Sequence, residues 1–211
     1  RNPYNNQQVS YVEINQDVVD CIAFCTKDPK AIMPYLKEIE QMGYHYFFMV
    51  TITPYNKDIE PNVRLKLEII KTFIELSNLI GKNRIIWRYD PILLNERYTI
   101  KFHLQMFEKM CQLLYKYTNT VIISFLDIYK NIVNKFNELS DEDVYLLADN
   151  LGRIAKKYHL EIKTCSEKYH LEQYGIKKGS CLEKSYIEDL IGYPLDIKTN
   201  QNRANCSCLA S

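Results

Sequence analysis

The sequence has few glycines and no excess of charge of either sign. Only 6 of its 211 residues are Gly, and neither G-x-G-x-x-G nor G-x-x-x-x-G-K-[ST] occurs, which argues against the phosphate-binding loops built on those motifs. The formal net charge of +1 gives no support to binding of nucleic acid or an anionic membrane surface, although nucleic acid as a substrate stays open. Apolar runs stay well short of the roughly 18 residues that span a bilayer, so we expect no membrane partner.

A recognisable signal peptide is also missing, and the sequence opens on Arg1. We therefore expect a cytoplasmic protein. The apolar fraction of 46% and the charged fraction of 25% are ordinary for a globular chain, and 211 residues suit one domain.

One pattern occurs five times along the chain. A short apolar run, rich in β-branched residues, ends in polar or ionisable residues and is followed by an amphipathic helical stretch. The runs are Val18–Phe24, Tyr46–Ile52, Arg84–Trp87, Thr120–Leu126 and Leu160–Lys163. Strands that alternate with helices predict a parallel sheet, whose functional groups lie beyond the carboxyl ends of the strands.

The number of units favours a partial, TIM-like (β/α) barrel of the α/β class. A complete eight-fold barrel usually takes about 250 residues, so we expect one domain over residues 1–211 that is a fragment of a longer barrel. An open doubly wound sheet is the alternative, because sequence alone does not give strand order.

Capping residues predict where several helices begin and end. Asp28 followed by Pro29 predicts a helix start, and Gly81 predicts a helix end. Ser140 begins a sequence that resembles a capping box. His103 falls on the polar side of the helix predicted after Thr99.

Arg88-Tyr89-Asp90-Pro91 is the sharpest short motif. Asp90 and Pro91 are expected to break the third strand, which would place Arg88 and Asp90 at the rim of the barrel. An arginine there can bind a carboxylate or phosphate through two hydrogen bonds. The alternative is an Arg–Asp pair that only holds a loop in place.

Further candidates follow the other strands. Lys27 could bind an anion or form a Schiff base, or it could simply be a paired cation. Asp127 and Glu167 are carboxylates on the same rim and could act together in acid–base catalysis. Thr51 and Thr53 supply hydroxyl groups after the second strand.

Seven cysteines are many for a cytoplasmic chain, and four of them lie in its last quarter. These are Cys165, Cys181, Cys206 and Cys208. In a reducing compartment such a group indicates metal or redox chemistry more than disulfides, and thiolates suit both zinc and iron–sulfur clusters. No C-x-x-C pair is present, so unrelated thiols remain an alternative.

Several segments, taken in order, resemble the bacterial domain-of-unknown-function family 1848. The segments are Val19–Pro29, Thr51–Tyr55, Ile59–Asn62, Ile86–Ile92, Ile123–Tyr129, Thr164–Glu167 and Cys206–Cys208. One departure is Cys25, where relatives tend to carry Trp.

The resemblance implies more than the residues do alone. Relatives extend past both ends, with a further strand upstream and, downstream, a C-x3-C-x2-C motif of the radical-SAM type that would hold a [4Fe–4S] cluster binding S-adenosylmethionine. The four late cysteines match cysteine positions of the family and would ligate an auxiliary cluster or shield the first. Arg88, Asp90, Thr51, Thr53, Ser124 and Glu167 would line the barrel mouth, facing cofactor and substrate.

Three functions are therefore open at this point. The first is an iron–sulfur enzyme of the radical-SAM type with an unknown substrate. The second is a metal-independent barrel enzyme that acts on a phosphate or carboxylate through Arg88, Lys27, Asp127 and Glu167. The third is a non-enzymatic binding module with structural zinc.

Overall fold

Six parallel strands form one sheet in which strands that are consecutive in the chain are also neighbours in space. The computed structural model describes residues 7, 9, 11, 13–128, 136–165, 167–197 and 208–209. The strands are β1 (Ile22–Thr26), β2 (Tyr46–Thr51), β3 (Ile85–Ile92), β4 (Thr120–Phe125), β5 (Glu161–Cys165) and β6 (Lys177–Gly179). The predicted α/β class with a parallel sheet is confirmed.

Helices between the strands cover one face of the sheet, and they are α1 (Leu36–Gln41), α2 (Lys66–Ile80), α3 (Ile100–Leu114) and α4 (Asp141–Lys157). A fifth helix, α5 (Lys184–Ile191), follows β6 and packs on the other face. Right-handed crossovers put helices on a single face when the strand order never reverses, as in a barrel wall. A doubly wound sheet needs such a reversal, so that alternative is wrong. Within the described residues the sheet does not close, since β1 and β6 are its two edges.

The outer face of the sheet packs against α2, α3 and α4 to form the main hydrophobic core. Trp87 is fully buried there, stacks on Phe107 with ring centroids 5.3 Å apart, and donates its indole N–H to the carbonyl of Ile52 at 3.0 Å. Alternate residues of the same strands point to the inner face, which is where ionisable side chains of β3 and β5 collect.

Two strand predictions are corrected by the structure. β6 was missed because Lys177-Lys178-Gly179 has no apolar pattern. The expected break of the third strand at Asp90 and Pro91 is wrong, since β3 continues to Ile92. A register shift between Tyr89 and Ile92 accommodates Pro91, because a proline at an irregularity removes no ladder hydrogen bond.

The capping predictions have mixed outcomes. Gly81 ends α2 with a φ of 86°, and Ser140 accepts a hydrogen bond from the backbone N–H of Asp143 at 3.1 Å, as predicted. Asp28 does not begin a helix, because α1 starts only at Leu36 after a 3-10 turn. The Asp28 carboxylate instead pairs with the guanidinium of Arg64, through Nη2 at 2.8 Å and through Nε.

His103 lies inside the core instead of on a polar helix face. Its Nδ1 is 2.9 Å from the hydroxyl of Tyr89, and its Nε2 is 2.9 Å from the carbonyl of Leu93. Burial lowers the pKa of His103 to about 4, against the opposing effect of the Leu93 carbonyl. The two hydrogen bonds satisfy the neutral ring, so its role is structural.

This buried imidazole predicts an acid-sensitive contribution to stability. The unfolded chain protonates His103 near pH 6.5 and the folded chain only near pH 4, so stability is complete above pH 6.5 and falls as the pH drops toward 4. The loss should reach about 3 kcal/mol. Urea unfolding at several pH values, compared with His103→Gln, measures it. Equal pH dependence in both proteins would contradict the assignment.

A second, smaller apolar cluster covers the inner face. Phe47, Met49, Ile86 and Ile122 from β2 to β4 contact residues of α5 there. The inner face is therefore closed by the C-terminal part of the chain rather than by a complete ring of strands. None of the helices among the described residues is both long and apolar enough to cross a bilayer.

Candidate thiolate centre

Three of the four predicted cysteine ligands converge on the inner face. Cys165 is the last residue of β5, and Cys181 follows β6 by two residues. Cys208 is brought to them by the neighbouring Leu209, whose backbone N–H donates to the carbonyl of Leu182 at 3.0 Å. The Sγ atoms of Cys165, Cys181 and Cys208 all lie within 4.8 Å of one another. Cys206, the fourth predicted ligand, lies outside the described residues.

Cys165 and Cys181 are hydrogen-bonded to each other. Their Sγ atoms are 2.7 Å apart, and hydrogen bonding from Cys181 lowers the pKa of Cys165 to about 7 despite its burial. The same hydrogen bond, together with burial, raises the pKa of Cys181. The hydrogen bond thus favours ionisation of Cys165, and the thiolate is the form of cysteine that ligates metals.

Arg88 is a cation that interacts electrostatically with the clustered thiols. Its guanidinium donates through both Nε and Nη2 to the same oxygen of Asp90, Oδ2, with the Nε contact at 3.1 Å. Although burial disfavours its charge, Asp90, Cys181 and Cys165 hold the pKa of Arg88 above its ordinary value. The expected Arg88–Asp90 pair is therefore present, and it faces the cysteines instead of an open rim.

Glu167 is the most perturbed carboxyl group near the cysteines. Its side chain is buried, with one oxygen accepting the backbone N–H of Phe125 at 2.7 Å. Burial, with smaller effects from Asp127 and Cys165, raises the pKa of Glu167 to about 7. Asp127, the other carboxylate of the predicted acid–base pair, thus contributes to the raised pKa of Glu167.

Two predicted hydroxyl residues share the inner face with Arg88. Thr51 is in register with Arg88 across β2 and β3, and Arg88 is in register with Ile122 of β4. Ser124 follows Ile122 by two residues and so points to the same face.

Lys27 and Thr53 belong to a separate polar network. Lys27 and Lys66 both form ion pairs with the buried carboxylate of Glu60, and the Thr53 hydroxyl donates to Glu60 at 2.9 Å. Burial opposes ionisation of Glu60, but the two ammonium groups keep its pKa below the ordinary value. Sequence reasoning gave no role to Glu60, although it lies in the Ile59–Asn62 segment, and it missed Lys66, because only the fold brings these residues to Lys27.

The donor chemistry of the cysteine cluster suits a soft metal. Two sulfurs bound to one ion at 2.3 Å can be at most about 4.6 Å apart, close to the upper spacing of the three Sγ atoms. In a tetrahedral site they lie about 3.8 Å apart, so Cys165 and Cys181 would have to separate on binding. An iron–sulfur cluster, in which each cysteine binds its own iron, would spread the three thiols further.

A family model described as Domain of unknown function (DUF1848) matches residues 1–211, the whole of the chain. That description names no reaction, ligand or partner. Among curated proteins, none matches this sequence.

Two solved structures resemble parts of the chain at 10% sequence identity. A probable tagatose 6 phosphate kinase from Sinorhizobium meliloti 1021 has a TM-score of 0.42, with 82% of this chain and 45% of that one covered. A provisionally assigned alpha-L-fucosidase from Bacteroides thetaiotaomicron VPI-5482 has a TM-score of 0.39, with 88% and 79% covered. The chain thus spans less than half the length of the kinase, and neither likeness bears on activity.

Proposed function

The chain belongs to the DUF1848 family, and we propose that it forms the metal-binding core of an iron–sulfur enzyme of the radical-SAM type. The observation that carries the proposal is the convergence of Cys165, Cys181 and Cys208, from three separate segments, to within 4.8 Å at the inner face of the sheet. Three thiols from separate parts of the chain that meet at one point suit a shared ligand-binding role. Cys206 is the proposed fourth ligand.

The proposed centre combines soft donors with a compensating cation. Thiolates are the usual ligands of iron–sulfur clusters, and the protein tunes such clusters through charge, hydrogen bonds and burial. A cluster held by four thiolates has no open iron, so this centre would be the auxiliary cluster, and radical chemistry with S-adenosylmethionine would come from the separate cluster that the family resemblance implies. Arg88 would offset the negative charge of the thiolates, and Asp90 would hold the guanidinium in position.

Residues around the thiols are proposed to position cofactor and substrate. Thr51 and Ser124 share the inner face with Arg88 and can donate hydroxyl hydrogen bonds. Glu167, whose pKa is near neutral, can hold or release a proton beside Cys165. Lys27 and Thr53 would act from the neighbouring network, with Glu60 setting their orientation.

Metal analysis after anaerobic reconstitution tests the proposal. We expect iron and acid-labile sulfide in equal amounts, about four of each per chain, with a broad absorption band from sulfur-to-iron charge transfer. Reconstitution that leaves the chain free of iron would overturn the proposal for this part of the protein. A chain extended downstream provides the matched control, because it tests whether further cysteines are required.

Structural zinc is the second candidate, and the spacing of the sulfurs favours it. Sγ atoms within 4.8 Å of one another need less displacement to bind one tetrahedral ion than to bind three irons of a cluster, although Cys165 and Cys181 would still have to separate. Zinc at one ion per chain, retained in the presence of excess iron and sulfide, would select this function. The chain would then be a binding module in which the metal fastens the C-terminal segment to β5 and β6.

A further inference from the structure

A cavity of about 640 Å³ lies on the inner face beside the cysteine cluster. Its volume is within the range of small-molecule sites in proteins. β1, β2 and β3 form its floor, and α5 with Cys208 and Leu209 forms its roof. Cys181 and Cys208, two members of the cluster, are part of its wall.

The walls of the cavity are mostly apolar. Side chains without polar atoms dominate, among them Val19, Ala23, Phe47, Met49 and Leu195. The charged lining residues are Arg88 and Asp20, and the exposed Asp20 already accepts a hydrogen bond from the Tyr193 hydroxyl at 3.0 Å. An apolar ligand would therefore find one strong polar group inside the cavity, the Arg88 guanidinium.

Arg88 retains donors that can reach such a ligand. Asp90 is bound by Nε and Nη2, which form one edge of the guanidinium, and both contacts go to a single oxygen. The other edge, formed by Nη1 and Nη2, has the geometry that binds a carboxylate through two parallel hydrogen bonds. The Arg88 side chain is still 24% exposed, although it is enclosed by the sheet.

We infer that this cavity binds a largely apolar molecule that ends in a carboxylate, with the carboxylate on Arg88 and the adjoining carbons beside Cys181 and Cys208. The inference deepens the proposed function by naming a substrate class. It depends on the proposed function only for the reaction, because the binding itself needs no metal.

Straight-chain probes of equal length test the inference on the native chain. Isothermal titration calorimetry with decanoate, decan-1-ol and decylammonium should give the tightest binding for decanoate. Decan-1-ol should bind about tenfold more weakly, because it lacks the charge-assisted hydrogen bonds, and decylammonium more weakly still. Equal affinity for all three, or no binding of decanoate, would overturn the inference.

Two variants locate the binding site. Ala23→Leu fills the apolar floor and should weaken decanoate and decan-1-ol alike, by about tenfold or more, since overpacked cavities exclude ligands. Arg88→Gln should weaken decanoate by about tenfold and leave decan-1-ol unchanged. The matched control is Arg153→Gln, which removes an exposed arginine from α4. Unchanged decanoate affinity in Ala23→Leu would place the ligand elsewhere, even if Arg88→Gln fails to fold.

The same titration separates the inference from the proposed function. Cys165→Ser changes the one clustered cysteine that does not line the cavity, so this variant should lose its metal and keep its affinity for decanoate. Metal bound without decanoate binding would overturn the inference alone, and decanoate bound without any metal would overturn the proposed function alone.

Discussion

Replacing Cys165, Cys181 and Cys208 together with serine is expected to abolish metal binding, with iron and sulfide falling from about four per chain to near zero. The three sulfurs form one group within 4.8 Å, so each loss removes a ligand from the same site. Serine preserves the size of the side chain but does not ionise to a ligand at neutral pH as a thiol beside Arg88 can. Metal analysis and the absorption spectrum after anaerobic reconstitution measure the effect.

Cys25→Ser is the matched control for this experiment. Cys25 is an exposed cysteine of β1 that lines the neighbouring cavity but is not one of the three clustered thiols. This variant should retain the full metal content. Iron retained by the triple variant, or lost equally from Cys25→Ser, would show that the metal binds somewhere other than the proposed centre.

Gly152→Ala is expected to destabilise the fold by about 3 kcal/mol or more. Gly152 lies within α4, where alanine alone should add roughly 1 kcal/mol of helix stability. However, a Cβ at this position would lie much closer than 3.0 Å to the backbone carbonyl oxygen of Tyr174. Real Cβ contacts are essentially never shorter than 3.0 Å. Backbone atoms cannot turn aside as a flexible side chain can, so the clash should outweigh the gain in helix propensity.

Urea unfolding followed by circular dichroism measures this difference. Lys156→Ala is the control, because it changes an exposed residue of the same helix and should alter stability by less than about 0.5 kcal/mol. A Gly152→Ala protein as stable as the native chain would mean that α4 and the segment at Tyr174 are not packed as described.

The fold was predictable where apolar patterning was strong. The aromatic and β-branched run of β2 is buried along nearly its whole length, and the predicted helix end at Gly81 is observed. Strand β6 was not predictable, because two lysines and a glycine form no apolar pattern and only the fold places them beside β5. The strand break expected at Pro91 does not occur, because the pairing of β3 with β4 overrides the strong local signal of the proline.

The candidate site was predictable in composition but not in arrangement. The late position of the cysteines suggested a common centre, and three of them do converge. The pairing of Lys27 and Lys66 with Glu60 could not be foreseen, because only the fold brings these three separate parts of the chain together. His103 was misassigned for a related reason: Tyr89 and Leu93, which satisfy its ring, come from β3 and the residue after Ile92.

The two faces of the sheet have different roles, one in packing and the other in the candidate site. Its outer face carries the large aromatic residues that pack on α2 to α4 and hold the fold. Its inner face combines a small apolar cluster with thiols, a guanidinium and a buried carboxyl group of raised pKa. Perturbed ionisable groups beside a cavity are typical of functional sites, which supports a search for chemistry on this face.

X-ray absorption at the iron edge tests the central claim most directly. Applied to the anaerobically reconstituted chain, it reports the atoms bound to iron and any neighbouring iron. The account predicts sulfur neighbours only, together with a second iron nearby, and loss of both signals in the triple serine variant. Iron surrounded by oxygen and nitrogen, with no iron neighbour, would contradict it.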